Sequence, residues 1–293
     1  MGTGKWQENV RRRPIGSLVE GPLQRDDRKW PHSANLENMD RQDTEHEYWF
    51  EKAFVADYLE VYPARTVESA RNEALAALKW LSPAPGQKLL DLCCGAGRHS
   101  FWLQESQCQL YGVDLSKDLL TEARRHLSED VSLSRADMRD LPFEQDFFDH
   151  VMMFFTSFGY FAGDEENRRV LAEVARVCSP GGLFLLDLPD RATTIEQLIP
   201  SSERRVGDRT IREERSMTAD KMRVEKTVTI TGPGENRNYT ESVRLFSREE
   251  IETLLQASGW ESKFCYGDWD GNGHEAGISS RMIFVSSRVG GNS

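Results

Sequence analysis

Three carboxylates and a pair of glycines in this chain have the types and spacing of a nucleoside-binding site. Asp91 lies in a short apolar run, Leu89 to Leu92, which runs straight into Cys93-Cys94-Gly95-Ala96-Gly97 before the chain turns polar. An apolar run, a glycine turn and a polar helix start together present backbone N–H groups to a ligand at a strand's carboxyl end. Asp114 ends the next apolar run, about where a ribose-binding carboxylate stands, and an acid there accepts protons from both ribose hydroxyls. Asp137 follows a third run in Ala136-Asp137-Met138, within reach of an adenine amino group.

Around these lie residues for the second reactant. Phe154-Phe155-Thr156-Ser157-Phe158-Gly159-Tyr160-Phe161 follows a fourth apolar run, where ligands enter open α/β sheets. Its aromatic side chains form a wall for an apolar group or an amine, or they pack in the core. The substrate candidates are Phe155, Ser157, Phe158, Tyr160 and, in the glycine-rich loop before the last strand, Trp269. Candidate acid–base groups are His99, His274 and Tyr160. His99 sits just past the glycine turn and serves catalysis, the cofactor or packing. His274 reads as a surface loop residue or a substrate contact. Tyr58, Tyr62 and Arg65 precede the sheet and close over the cofactor or pack at a helix end; Arg65 is a carboxylate partner in the first case.

The elements that carry these residues alternate. Apolar runs at 89–92, 110–113, 131–134, 150–155 and 183–188 read as buried parallel strands, separated by helical periodicity. Ser116 caps a helix with Leu119, Leu120, Ala123 and Leu127 on one stripe. Three alternating stretches, 210–217, 223–231 and 237–246, break the pattern and predict an antiparallel β cap inserted in the α/β core. Ser247-Arg248-Glu249-Glu250 is a capping box, and 260–265 and 282–286 read as two final strands paired antiparallel at the sheet edge. The expected organisation is a polar, disordered tail over 1–45, an α/β core with N-terminal helices over 46–200, the cap over 205–246, and a C-terminal helix and strands over 247–288.

Composition narrows the function classes. The net charge of −11 argues against a nucleic-acid partner, which needs clustered Lys and Arg. No apolar run nears the roughly 20 residues of a membrane span. The N-terminus lacks a secretory apolar core. Five cysteines without a Cys-x-x-Cys pair read as thiols in a reducing compartment, which predicts a cytoplasmic protein with no metal site.

The glycine turn and Asp114 by themselves suit NAD and S-adenosylmethionine (SAM) equally, although the third glycine of the dinucleotide fingerprint is missing. The ordered series Asp91-x-x-Cys94-Gly95-x-Gly97, Gly112-Val113-Asp114, Ala136-Asp137-Met138, Phe148-Asp149-His150-Val151 and Pro180-Gly181-Gly182 resembles the class I SAM-dependent methyltransferases. The resemblance implies a Rossmann-like, mostly parallel seven-stranded sheet and a SAM site. Asp91, Gly95 and Gly97 would lie along the methionine moiety, with Cys93 in the same loop. Asp114 would take the ribose, Leu115 would pack on the adenine, and Asp137 and Met138 would hold its amino group and face. Phe154 or Phe155 would stand near the methionine and the transferring methyl. Many members of the family carry glycine where Cys93 stands, a departure that is tolerable if the backbone there has φ below zero. The inserted strands and aromatic N-terminal helix resemble caps of small-molecule methyltransferases, including those acting on amino sugars. The implied reaction is methyl transfer to a small molecule, at nitrogen ahead of oxygen. The rival readings are an NAD-dependent oxidoreductase and a non-catalytic SAM-binding protein.

Overall fold

The computed structural model describes residues 48–54 and 58–290. The expected tail, residues 1–45, lies outside the described residues. The chain enters through α1 (Trp49–Ala53) and α2 (Tyr58–Val61), then a 3-10 turn leads into α3 (Arg71–Leu81). There follow β1 (Lys88–Leu92), α4 (Ser100–Leu103), β2 (Gln109–Asp114), α5 (Lys117–Arg124), β3 (Ser132–Arg135), β4 (Phe148–Met153), α6 (Asp164–Val177), β5 (Cys178–Pro189) and α7 (Arg191–Glu196). An antiparallel series comes next: β6 (Ser201–Val206), β7 (Arg209–Met217), β8 (Arg223–Gly232) and β9 (Glu235–Arg244). The chain closes with α8 (Arg248–Ala257), β10 (Trp260–Tyr266) and β11 (Arg281–Arg288).

Seven strands form one sheet in the order β10-β11-β5-β4-β1-β2-β3. The pairs from β5 to β3 are parallel, and β11 runs antiparallel between β5 and the edge strand β10. The antiparallel pairing expected at the sheet edge is present. Period-two alternation sends neighbouring residues to opposite faces, and both faces are covered. Leu90, Leu92 and Phe184 pack with Val170, Leu171 and Val174 of α6 on one side. Leu89, Met152 and Leu185 pack with Ala74, Ala77 and Leu81 of α3 and Ala123 of α5 on the other. Crossover from β3 back to β4 reverses the direction in which strands are added, so the switch point falls between β1 and β4.

The second sheet, β6-β7-β8-β9, is wholly antiparallel. Its first strand was not expected, because Ser201-Ser202-Glu203-Arg204-Arg205-Val206 has almost no apolar residue to alternate; it is an edge strand, and edges tolerate polar faces. Ile211, Val228, Ile230 and Tyr239 of this sheet bury Ala53 of α1 and Val61 of α2. The N-terminal helices are thereby packed on the cap.

Helix starts follow the local chemistry. Ser116 Oγ accepts the Leu119 N–H at 3.2 Å, and Ser247 with Glu250 forms the capping box at α8. Gly97 has a different office from the one its sequence position implied. Its φ is 76°, and a Cβ there would stand 2.9 Å from Leu127 Cδ1 and 3.1 Å from Ala123 Cβ. The glycine permits the β1 turn to pack against α5 rather than a ligand to approach the backbone. Gly97→Ala is therefore expected to cost about 1–3 kcal/mol in stability. A thermal melt checks this, and an unchanged midpoint would show that α5 does not hold the turn.

Candidate active site

A cavity of about 390 Å3 opens at the carboxyl ends of β1, β2 and β4. The α1–α2 segment walls one side, and β8 and β9 roof it. On the sheet side, the turn after β1 is stitched to β2. Cys94 N–H donates to the Val113 carbonyl at 3.0 Å, and Gly95 N–H donates to Asp114 Oδ2 at 2.8 Å. Asp114 Oδ1 takes the Ser116 N–H at 2.8 Å. Burial still pushes the Asp114 carboxyl above its ordinary range despite these bonds.

Cys93 does not meet the condition set for it by the loop. Its φ is 62°, in the left-handed region, where a β-carbon is strained. Its thiol sits 3.7 Å from Met138 Sδ, and burial next to Asp114 raises its pKa, so it stays a neutral thiol on the cavity wall. Leu115, Asp137 and Met138 share that wall. Both Asp137 oxygens are held by Arg139, at 3.0 Å from Nε and 2.6 Å from the terminal nitrogen. Arg139 is itself clasped by Tyr48 Oη and Glu166.

Phe154 also reaches the wall and stacks on His99, with centroids 4.0 Å apart. His99 Nε2 lies 2.5 Å from Glu73 Oε2, and burial pushes its pKa down to about 4. The ring is neutral at pH 7 and a poor base. Tyr160 lies against Trp49, centroids 4.9 Å apart, and burial raises its phenol pKa. Ser157 is buried at the wall, donating to the Phe154 carbonyl at 2.9 Å. Phe155 and Thr156 both take positive φ, 54° and 62°. The buried Asp187 holds this strained pair: its Oδ2 accepts the Phe155 N–H at 2.8 Å and its carbonyl the Thr156 N–H at 3.1 Å. Arg281 neutralises Asp187 at 2.6 Å.

Arg65 faces the cavity with its guanidinium 4.1 Å from the Tyr62 ring centroid and 4.7 Å from that of Phe155. Among the described residues no carboxylate pairs with it. Burial lowers its pKa, which is the cost of a cation awaiting a counter-charge.

The family scan matches residues 89–182 to a methyltransferase domain. A Streptomyces venezuelae protein, dTDP-3-amino-3,4,6-trideoxy-alpha-D-glucopyranose N,N-dimethyltransferase, is 30% identical over 204 residues, 67% of this chain and 81% of the relative. The chain belongs to the SAM-dependent methyltransferases. Among solved structures, the CcbJ methyltransferase from Streptomyces caelestis superposes with TM-score 0.70 at 16% identity, covering 84% of this chain and all of that one. Streptomyces venezuelae DesVI gives TM-score 0.56 at 25% identity, covering 80% and 99%.

The fit of SAM to this methyltransferase can be read from the wall. A carboxylate open to the cavity at the end of β2, an apolar floor from Leu115 and Met138, and an unpaired guanidinium at the other end match a nucleoside joined to an amino acid. Several expected residues are not on the wall. Asp91 is buried behind the turn, where it accepts from Ser100 Oγ at 2.5 Å and is pushed up to about 7 by burial. Gly97 packs on α5. The Tyr62 hydroxyl is turned away to Glu241 at 2.5 Å. Phe158 is wholly buried against Phe246, centroids 5.3 Å apart. Trp269 stacks on Trp80 and backs Phe154 instead of reaching the cavity. His274 is not a surface residue: it is buried with Nε2 2.9 Å from Asp190 Oδ2, locking its loop to the cap of α7. Sequence reading missed Arg98, Arg215, Lys226 and Glu241, which do line the cavity. Alternation in the cap strands was visible, but nothing local says which face turns to the sheet.

The methyltransferase should show His99 in its acid stability. The unfolded chain binds a proton at His99 near pH 6.5 and the folded one only near 4, so stability falls as pH drops through that window. The slope from this group is about 1.4 kcal/mol per pH unit at its steepest. His99→Gln is expected to flatten the pH dependence of the melting midpoint between pH 7 and 5; an unaltered slope would show that His99 is charged in the fold.

Proposed function

We propose that this enzyme methylates an amine nitrogen on a small-molecule acceptor held between the sheet and the β6–β9 cap. One observation carries the choice of nitrogen: the His99, Tyr160 and Cys93 side chains on the cavity wall are not poised to take a proton near neutral pH. His99 is a poor base, and the phenol of Tyr160 and the thiol of Cys93 are held protonated. Asp137 and Glu241 are already paired with Arg139 and Lys226. A neutral amine needs no base, whereas a hydroxyl nucleophile does. The relatives named as amino-sugar N,N-dimethyltransferases support the same reading.

Asp114 would hold the ribose hydroxyls, Leu115 and Met138 the adenine faces, and Asp137, itself held by Arg139, would stand by the adenine amino group. Arg65 would take the carboxylate of the methionine portion. SAM, when bound, supplies an electrophilic methyl on sulfonium sulfur. Phe154, Phe155, Ser157 and Tyr160 then do what the chain itself can do: they align the acceptor and exclude water. Trp49, Phe54 and Tyr58 line the same cavity, where aromatic rings would attract an acceptor cation before it loses its proton to solvent. We place the enzyme in the cytoplasm, where its five cysteines remain thiols. No helix among the described residues is long and apolar enough to cross a membrane.

Two measurements test the reading. Asp114→Asn is expected to weaken SAM binding roughly ten- to hundredfold by calorimetry, since a charged hydrogen-bond acceptor is lost; unchanged affinity would remove Asp114 from the site. The full chain with methyl-labelled SAM and dTDP-3-amino-3,6-dideoxy-alpha-D-glucopyranose, the sugar named for a Streptomyces fradiae relative, is expected to yield label on the amine. Label on the hydroxyl analogue and none on the amine would overturn nitrogen as the acceptor atom.

A further inference from the structure

The cap sets a charged rung beside an apolar one on the face that roofs the cavity. Register places Arg215, Lys226 and Glu241 side by side across β7, β8 and β9. The next rung toward the strand ends is Met217, Val224 and Val243. Both lie on the same face, because side chains two residues apart share a face. Lys226 and Glu241 are closely paired, with Nζ 2.6 Å from Oε2. Placing this pair in an apolar roof carries a desolvation cost that its own attraction does not recover. Burial accordingly lowers the pKa of Lys226.

The pair is not isolated. The Tyr62 hydroxyl donates to Glu241 Oε1 at 2.5 Å and accepts from Lys226 Nζ at 2.6 Å, closing a three-membered ring of hydrogen bonds. Tyr62 belongs to the segment after α2, 179 positions from Glu241. Its ring, fixed by that hydroxyl, lies against the Arg65 guanidinium at 4.1 Å. Arg65 is a long side chain with many rotamers, and a fixed aromatic face limits where it points. A continuous physical path thus runs from the cap rung to the Tyr62 hydroxyl, through its ring to Arg65, and into the cavity.

We infer that Tyr62, clamped by Lys226 and Glu241, is a positioning residue that aims Arg65 at the carboxylate of the cofactor's methionine portion. This rests on the assignment of Arg65 made above. The clamp makes the cap, which faces the acceptor, part of the apparatus that grips the cofactor's amino-acid end. It leaves the nucleoside end to Asp114 and the sheet. Loss of the clamp therefore damages recognition of one end of the ligand and spares the other.

Calorimetry on the full chain with two ligands reads this directly. S-adenosylhomocysteine has the amino-acid end; 5′-methylthioadenosine keeps adenine, ribose and thioether but lacks it. Tyr62→Phe retains the ring and deletes the clamp. It is expected to weaken S-adenosylhomocysteine about five- to tenfold while 5′-methylthioadenosine binds as before. Arg65→Met gives the same selective loss, and the double variant is no weaker than Arg65→Met alone. Glu241→Gln releases the clamp from the cap side and reproduces the selective loss if Tyr62→Phe folds poorly. Equal weakening of both ligands by the clamp variants would make Tyr62 a packing residue and overturn the inference, as would undiminished S-adenosylhomocysteine binding. If Arg65→Met leaves both affinities unchanged, the fault lies with the Arg65 assignment, and the inference falls with it.

Discussion

Asp114 accepts one N–H from each of two loops, Gly95's just after β1 and Ser116's at the start of α5. The mouth of the sheet keeps its shape around that bridge. Parallel strands end side by side, so the loops leaving them compete for the same space and leave backbone N–H groups without ladder partners. A carboxylate placed between two such loops satisfies both. The cost is a charge removed from water, visible as a carboxyl pushed above its usual range. Ligand hydroxyls donated into the cavity would offset that cost, so the same group that builds the turn is suited to hold a ribose.

Strain and buried charge concentrate around this bridge. Cys93, Phe155 and Thr156 all hold positive φ without being glycine, and all three line the cavity. Asp187 with Arg281 restrains the second pair, while the stitched turn restrains the first. The charged rung of the cap adds a further desolvation cost. The strained backbone positions cost of order 1–3 kcal/mol each. They persist because two apolar clusters, one on each face of the sheet, over-determine the positions of the strands that carry them. Strands fixed in this way suit a displacement that depends on alignment.

Much of the scaffold was legible in the chain. Leu89 to Leu92 and His150 to Phe155 read as buried strands because both sheet faces are covered, and continuous apolar runs follow from that, although β4 itself stops at Met153. Ser116 and Ser247 announced helices through a chemistry that acts over three residues. Strand β6 escaped notice since its polar sequence obeys the looser demands of a sheet edge. Of the residues singled out, Leu115, Met138, Phe154 and Tyr160 line the cavity. Phe158, Trp269 and His274 did not. An aromatic or a histidine in a loop carries no mark of the distant residue it will pack on, here Phe246, Trp80 and Asp190 respectively.

The sequence by itself determined the order of strands and helices, the position of each acid at a strand end and the glycine turn between β1 and α4. All of these depend on interactions within a few residues. Only the tertiary structure decided what each side chain meets. Gly97 serves helix packing because α5 returns across it. Cys93 turns left-handed because its neighbours are tied to β2. Tyr62 looks toward Glu241 rather than into the cavity because a strand far along the chain folds over it. Facing is a property of two surfaces brought together, and one of those surfaces is absent from any local stretch of sequence.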